Sequence, residues 1–92
     1  MLTVTPGAGV RLLRRLKRKN VAEDMAMRFT RGAAGWKLRL DQIRPADTVI
    51  VHGGRTILLL DEAVARDTAH MTLGVRKTVA GPRFALAGGH AL

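Results

Sequence analysis

The 92-residue sequence contains no cysteine and no tyrosine, and only one tryptophan and two phenylalanines. Without thiols there is no thiolate nucleophile, no zinc–thiolate site and no cysteine-held iron–sulfur cluster. The absence says little about compartment, because a disulfide-free domain is stable in either redox setting. With so few aromatics, Leu, Val, Ile, Met and Ala must form the core, and base stacking has little to draw on. Long hydrophobic runs are missing too. The longest, Ile57–Leu60, is far shorter than the ~20 residues of a spanning helix. Met1–Pro6 lacks the basic start and apolar stretch of a signal peptide. A soluble cytoplasmic protein is expected.

Acidic residues are scarce as well: seven Asp and Glu stand against sixteen Lys and Arg, a net charge of +9. The imbalance is local. Residues 1–44 hold eleven cations against three acids, a balance of +8, whereas residues 45–92 hold five against four, a balance of +1. That asymmetry describes a basic surface rather than evenly spread solubilising charge. Residues 1–87 form one domain in this reading, with a Gly-rich flexible tail over 88–92.

Met1–Val4 reads as a short strand. Thr5-Pro6 is a helix start, a hydroxyl cap followed by a proline whose φ suits the first turn. The helix runs to Asn20, with Gly9, Leu12, Leu13 and Leu16 on one arc and Arg11, Arg14, Arg15, Lys17, Arg18 and Lys19 around the rest. The period then becomes two. Met25, Met27 and Phe29 alternate with Ala26, Arg28 and Thr30. After a small-residue loop at Arg31–Gly35, Trp36, Leu38 and Leu40 alternate with Lys37, Arg39 and Asp41. The alternation predicts Met27, Phe29, Trp36, Leu38 and Leu40 inward and Arg28, Lys37 and Arg39 in solvent. Pro45–Asp47 makes a turn. Gly53-Gly54 joins Thr48–His52 to Arg55–Leu60 as a hairpin, and Asp61 caps a short helix reaching about Asp67. Strands at Met71–Val75 and Arg83–Leu86 flank a turn at Ala80–Pro82. The fold class is α+β, dominated by strands.

In this order of elements, "MLTVTPGAGVRLLRRL" resembles the opening strand and helix of the HesB/IscA-like iron–sulfur carriers. "DTVIVHGGRTILLLDEAVARD" resembles their Gly-turn hairpin and following short helix, and "GPRFAL" their last strand. The resemblance covers roughly residues 1–87. It implies small mixed sheets packed as a compact sandwich, with one N-terminal amphipathic basic helix and one short helix, in a family often found as homo-oligomers. Where that family writes Gly-Cys-Ser-Gly, this chain has Gly32-Ala33-Ala34-Gly35, which puts the first ligand position on Ala33. The C-terminal Cys-Gly-Cys would fall near Gly88-Gly89-His90. Neither place has a thiol, so the resemblance implies the fold without the cluster, and no cofactor or metal is expected.

Other chemistry finds little footing. His52, His70 and His90 form no HxH or HxxxH pair; His52 reads as an exposed residue beside its turn, His70 as a loop residue and His90 as part of the tail. The acids fit turn and cap roles, no nucleophile–base set stands out, and "GAGVRLL" lacks the GxxxxGK[ST] phosphate loop. A non-enzymatic protein is expected. The helix is the positive feature: six cations within Arg11–Lys19, with no acid to relieve their repulsion. Such a face suits an acidic protein partner or nucleic-acid phosphates, bound without sequence preference; alternatively the charge only tunes solubility. Membrane binding is not expected, because the apolar arc has no Trp or Phe and the core needs it. The function expected is a binding or structural module, with nonspecific nucleic-acid backbone binding as the alternative.

Overall fold

The computed structural model describes residues 1–33 and 35–88. Strand β1 (Thr3–Val4) leads into helix α1 (Pro6–Lys19). Thr5 is extended, its Oγ1 accepts a hydrogen bond from the Ala8 N–H at 3.2 Å, and Pro6 occupies the first turn. This satisfies an N–H that a helix start otherwise leaves open. The helix stops at Asn20, whose left-handed backbone (φ 51°, ψ 50°) lets its N–H donate to the Lys17 carbonyl. Lys17, Arg18 and Lys19 lie on the last turn, where cations complement the helix dipole.

Strands β2 (Met25–Gly32) and β3 (Gly35–Gln42) form an antiparallel hairpin in unbroken register from Met25↔Gln42 to Gly32↔Gly35. Pairing thus consumes most of the loop expected at Arg31–Gly35, and the positive φ of Gly35 (115°) accommodates the reversal. Strands β4 (Thr48–His52) and β5 (Arg55–Leu60) form the second hairpin, turning at Gly53-Gly54 with φ of 59° and 78° as the sequence requires. Strand β5 then pairs parallel to β2, giving a four-stranded sheet of order β3-β2-β5-β4. Every residue from Ile57 to Leu60 is fully buried. A strand covered on both faces tolerates no polar alternation, which is why this run is continuously apolar.

Helix α2 (Glu62–Asp67) begins at Asp61, whose Oδ1 accepts from the Val64 N–H at 2.8 Å. Strands β6 (Met71–Thr78) and β7 (Gly81–Gly88) are antiparallel, and β1 pairs parallel to β6, giving a second sheet of order β1-β6-β7. Both strands outrun the sequence reading. The turn is Val79-Ala80, with Gly81 and Pro82 already in β7. Ala87 and Gly88 pair with Thr72 and Met71. Gly89 and His90 lie outside the described residues.

Helix α1 packs on both sheets, chiefly on β5 and β6, and buries Ala8, Leu12 and Leu16 against Met27, Phe29, Leu58 and Leu73. At Gly9 the helix backbone rests on an imidazole: a Cβ there would stand 2.6 Å from His52 Nδ1. His52 is therefore half-buried under α1, not an exposed turn residue. The molecule is the strand-dominated α+β domain that the sequence implied. Among the described residues no helix is long and apolar enough to cross a membrane.

Candidate functional site

The alternation in β2 and β3 places most side chains as expected. Met27 and Phe29 are buried, Trp36, Leu38 and Leu40 are half-buried, and Lys37 and Arg39 are exposed. Arg28 departs from the expectation. It faces away from the α1 side, yet it is only 4% exposed. Its Nε donates to Asp41 at 2.7 Å, and Nη1 and Nη2 donate to the two Asp47 oxygens at 2.8 and 2.6 Å. A further bond reaches the Gln42 carbonyl at 3.1 Å. Burying a guanidinium is tolerable only when its donors are met, and a bidentate carboxylate meets two at once. The bond to Asp47 raises the Arg28 pKa, and the Arg28 hydrogen bonds hold both carboxyls below the ordinary carboxylate range. Asp47 also accepts from the Arg44 N–H at 2.8 Å. It therefore shapes its turn, as read from the sequence, and neutralises a buried cation, which the sequence reading missed.

The α1 side of the molecule is organised differently. Arg11, Arg14, Lys17, Arg18 and Lys19 are exposed and Arg15 is half-buried, all off the apolar arc of the helix. Among the described residues none of the six forms an ion pair. Two of them are nevertheless held in place. Arg11 and Arg15 lie over the Phe84 ring, each 5.7 Å from its centroid, and Arg11 Nη2 donates to the Pro82 carbonyl at 3.1 Å. A guanidinium stacked on a ring keeps its in-plane N–H edge available, so stacking orders these groups without consuming their donors.

Beneath this face lie three adjoining recesses that share Arg15. One, of about 230 Å³, sits between α1 and Val75. The second, of about 420 Å³, is floored by Met27, Leu38 and Leu40 and edged by Arg15, Arg18 and Lys19. The third, of about 400 Å³, lies between β3 and β7 over Phe29, Trp36, Leu73 and Phe84. Every charged residue lining them is Arg or Lys. The three aromatic residues of the chain meet in the third recess, with Phe29 and Trp36 stacked at 4.7 Å and Arg31 over the outer ring at 5.6 Å. Sequence reasoning found the cations but not this floor, because its parts come from β2, β3, β6 and β7.

Ala33, the family's ligand position by resemblance, is exposed at the tip of the β2–β3 hairpin. Ala34, Gly89 and His90 fall outside the described residues. Among the described residues no three His, Asp or Glu side chains gather closely enough to hold a metal ion.

The fold is that of SufA of Escherichia coli, involved in biosynthesis of iron–sulfur clusters. The TM-score is 0.75 at 16% identity, over 94% of this chain and 83% of that one. IscA crystallised with a 2Fe-2S cluster is also similar, with a TM-score of 0.61 at 18% identity over 95% of this chain and 84% of that one. No protein-family model matches the sequence, and no curated protein matches it. Identities this low establish the HesB/IscA-like fold and not the activity carried on it.

Proposed function

We propose that this chain is a non-catalytic, cytoplasmic binding module, a HesB/IscA-like scaffold without cluster ligands whose basic α1 face docks an acidic protein partner. The observation that carries the reading is the set Arg11, Arg14, Arg15, Lys17, Arg18 and Lys19, clustered on α1 with no carboxylate paired to any of them among the described residues. The buried Arg28 is neutralised in place by Asp41 and Asp47, whereas the dense cluster on α1 gives a positive surface that attracts anions from outside. The fold neighbours are iron–sulfur carriers, but soft iron needs thiolates and this sequence has none. In this reading the purified protein is colourless, and incubation with iron and sulfide leaves no stable visible absorption.

Replacing Arg11, Arg14, Arg15 and Arg18 together by Gln tests the docking face. Retention on a heparin column should drop to that of a weakly basic protein while the fold, followed by circular dichroism, persists. Unchanged retention would show that other cations dominate. A gel shift on duplex DNA across a salt series separates the nucleic-acid alternative, which requires a steep fall of affinity with salt.

A further inference from the structure

We propose that the partner engages through an amphipathic acidic segment, whose apolar side chains seat in the recesses beneath α1 while its carboxylates meet the arginines at their edge. This inference rests on the acidic-partner reading and narrows it to one kind of ligand.

Trp36, Leu38, Leu40, Phe84 and Leu86 belong to the inward faces of their strands, yet all remain half-exposed. Strands β3 and β7 are edges of their respective sheets. A recess of about 400 Å³ lies between these two edges, so apolar surface on the inward faces is left open to water. Such surface is stabilised when an apolar group covers it, by about 25 cal/mol per Å².

The surface also calls for a ligand of two kinds at once. Arg15 borders all three recesses, Arg18 borders two of them, and among the described residues no acid borders any. A purely apolar ligand would leave these guanidinium groups without a counterion, and a purely anionic one would leave the floor wet. A segment alternating Leu- or Phe-type anchors with Asp or Glu satisfies both. Volumes of about 400 Å³ fall in the range of pockets that hold discrete ligand groups.

Single-stranded nucleic acid matches this surface poorly. Single strands bind by stacking bases on free aromatic faces. Here one face of Trp36 is covered by Phe29, Arg31 lies over its ring, and Phe84 carries two guanidinium groups. What remains open is aliphatic surface and ring edge, which suits peptide side chains. A second copy of this chain is disfavoured as occupant because it carries a net charge of +9 itself.

The single tryptophan makes a direct test, since Trp36 lines the third recess and reports on it alone. Two synthetic peptides of about twelve residues and equal negative charge would be titrated against the intact protein. One has Leu and Phe interspersed with Glu and Asp, and the other has Ser in their place. The expected result is a shift of Trp36 emission with the first peptide and binding at least about tenfold tighter than with the second. In Leu38→Asn that advantage should shrink while the Ser-containing peptide binds as before. If Leu38→Asn melts early, the comparison on the unaltered protein still decides. Equal binding of both peptides would overturn the seated-anchor proposal while leaving the acidic-partner reading intact. Binding of duplex DNA but neither peptide would overturn both, as would binding of nothing. A doubling of mass by sedimentation without peptide, abolished by Leu38→Asn, would make a second copy the occupant and overturn the proposal.

Discussion

Arginine is used in opposite ways on the two sides of the four-stranded sheet. On one side Arg28 is buried and every charged contact is closed by Asp41 and Asp47. On the other, Arg14, Arg15 and Arg18 border open recesses and have no ion pair among the described residues. The difference teaches what a fold must do with a cation that it buries. A guanidinium that the fold encloses is matched in place, because an unmatched buried cation would cost several kcal/mol. On the α1 face, where water can solvate the charge, no such match is required; under the proposed docking role these cations await an external anion, and Arg11 and Arg15 are pre-ordered by stacking on Phe84.

The largest expected effect is on the closed side. Asp47→Ala leaves Arg28 buried with two of its four hydrogen bonds lost and should cost roughly 3–5 kcal/mol in urea unfolding. A loss below about 1 kcal/mol would mean that water replaces the carboxylate and that the closed side is not closed. Next comes the contrast between a sealed and an open leucine. Leu12, fully buried, should cost about 2–5 kcal/mol when changed to Ala. The exposed edge of Leu38 should limit its loss to about 1–2 kcal/mol, below the 2–5 kcal/mol expected of a sealed strand residue. Equal losses would argue that the recess closes in solution.

Acid should reach the closed side selectively. Arg28 holds the Asp41 and Asp47 carboxyls below their unfolded values. Their contribution is therefore complete above the unfolded pKa of about 4 and is lost as pH falls through the lower folded values. Melting temperature should be nearly flat from neutral pH to about 5 and fall below about 4, with a shallower fall in Asp47→Asn. An unchanged acid limb in that variant would detach acid sensitivity from the network. The smallest stability effect belongs to the open side. The fourfold Arg-to-Gln variant gives up two Phe84 stacks worth about 0.5–1 kcal/mol each, partly offset by relief of like-charge repulsion. Its unfolding free energy should stay within roughly 1 kcal/mol of the parent.

Some of what the sequence reading missed was within reach. The register of the β2–β3 hairpin pairs Gly32 with Gly35 and Arg28 with Arg39, which sets Asp41 diagonally across from Arg28 on the same face. Allowing the strands to run through Arg31 and Gly35 would have exposed the pair. Asp47 was out of reach, since it comes from the turn beyond β3 and only the folded path brings it to Arg28. His52 was misjudged for a similar reason: a residue beside a Gly-Gly turn is ordinarily exposed, and the close approach of α1 at Gly9 covers this one.

The sequence by itself determined the elements, the absence of any thiol ligand and the sign of the surface. Each rests on local physics: caps at Thr5 and Asp61, positive-φ glycines at 53 and 54, alternation in the strands, a count of thiols and a count of charges. Only the tertiary structure decided which cations are neutralised and where apolar surface stays open. Pairing depends on distances between residues 13 to 19 positions apart, and the third recess is bounded jointly by residues of α1, β2, β3, β6 and β7. Neither is written in the period of any single strand, since both are properties of how separate elements are brought together.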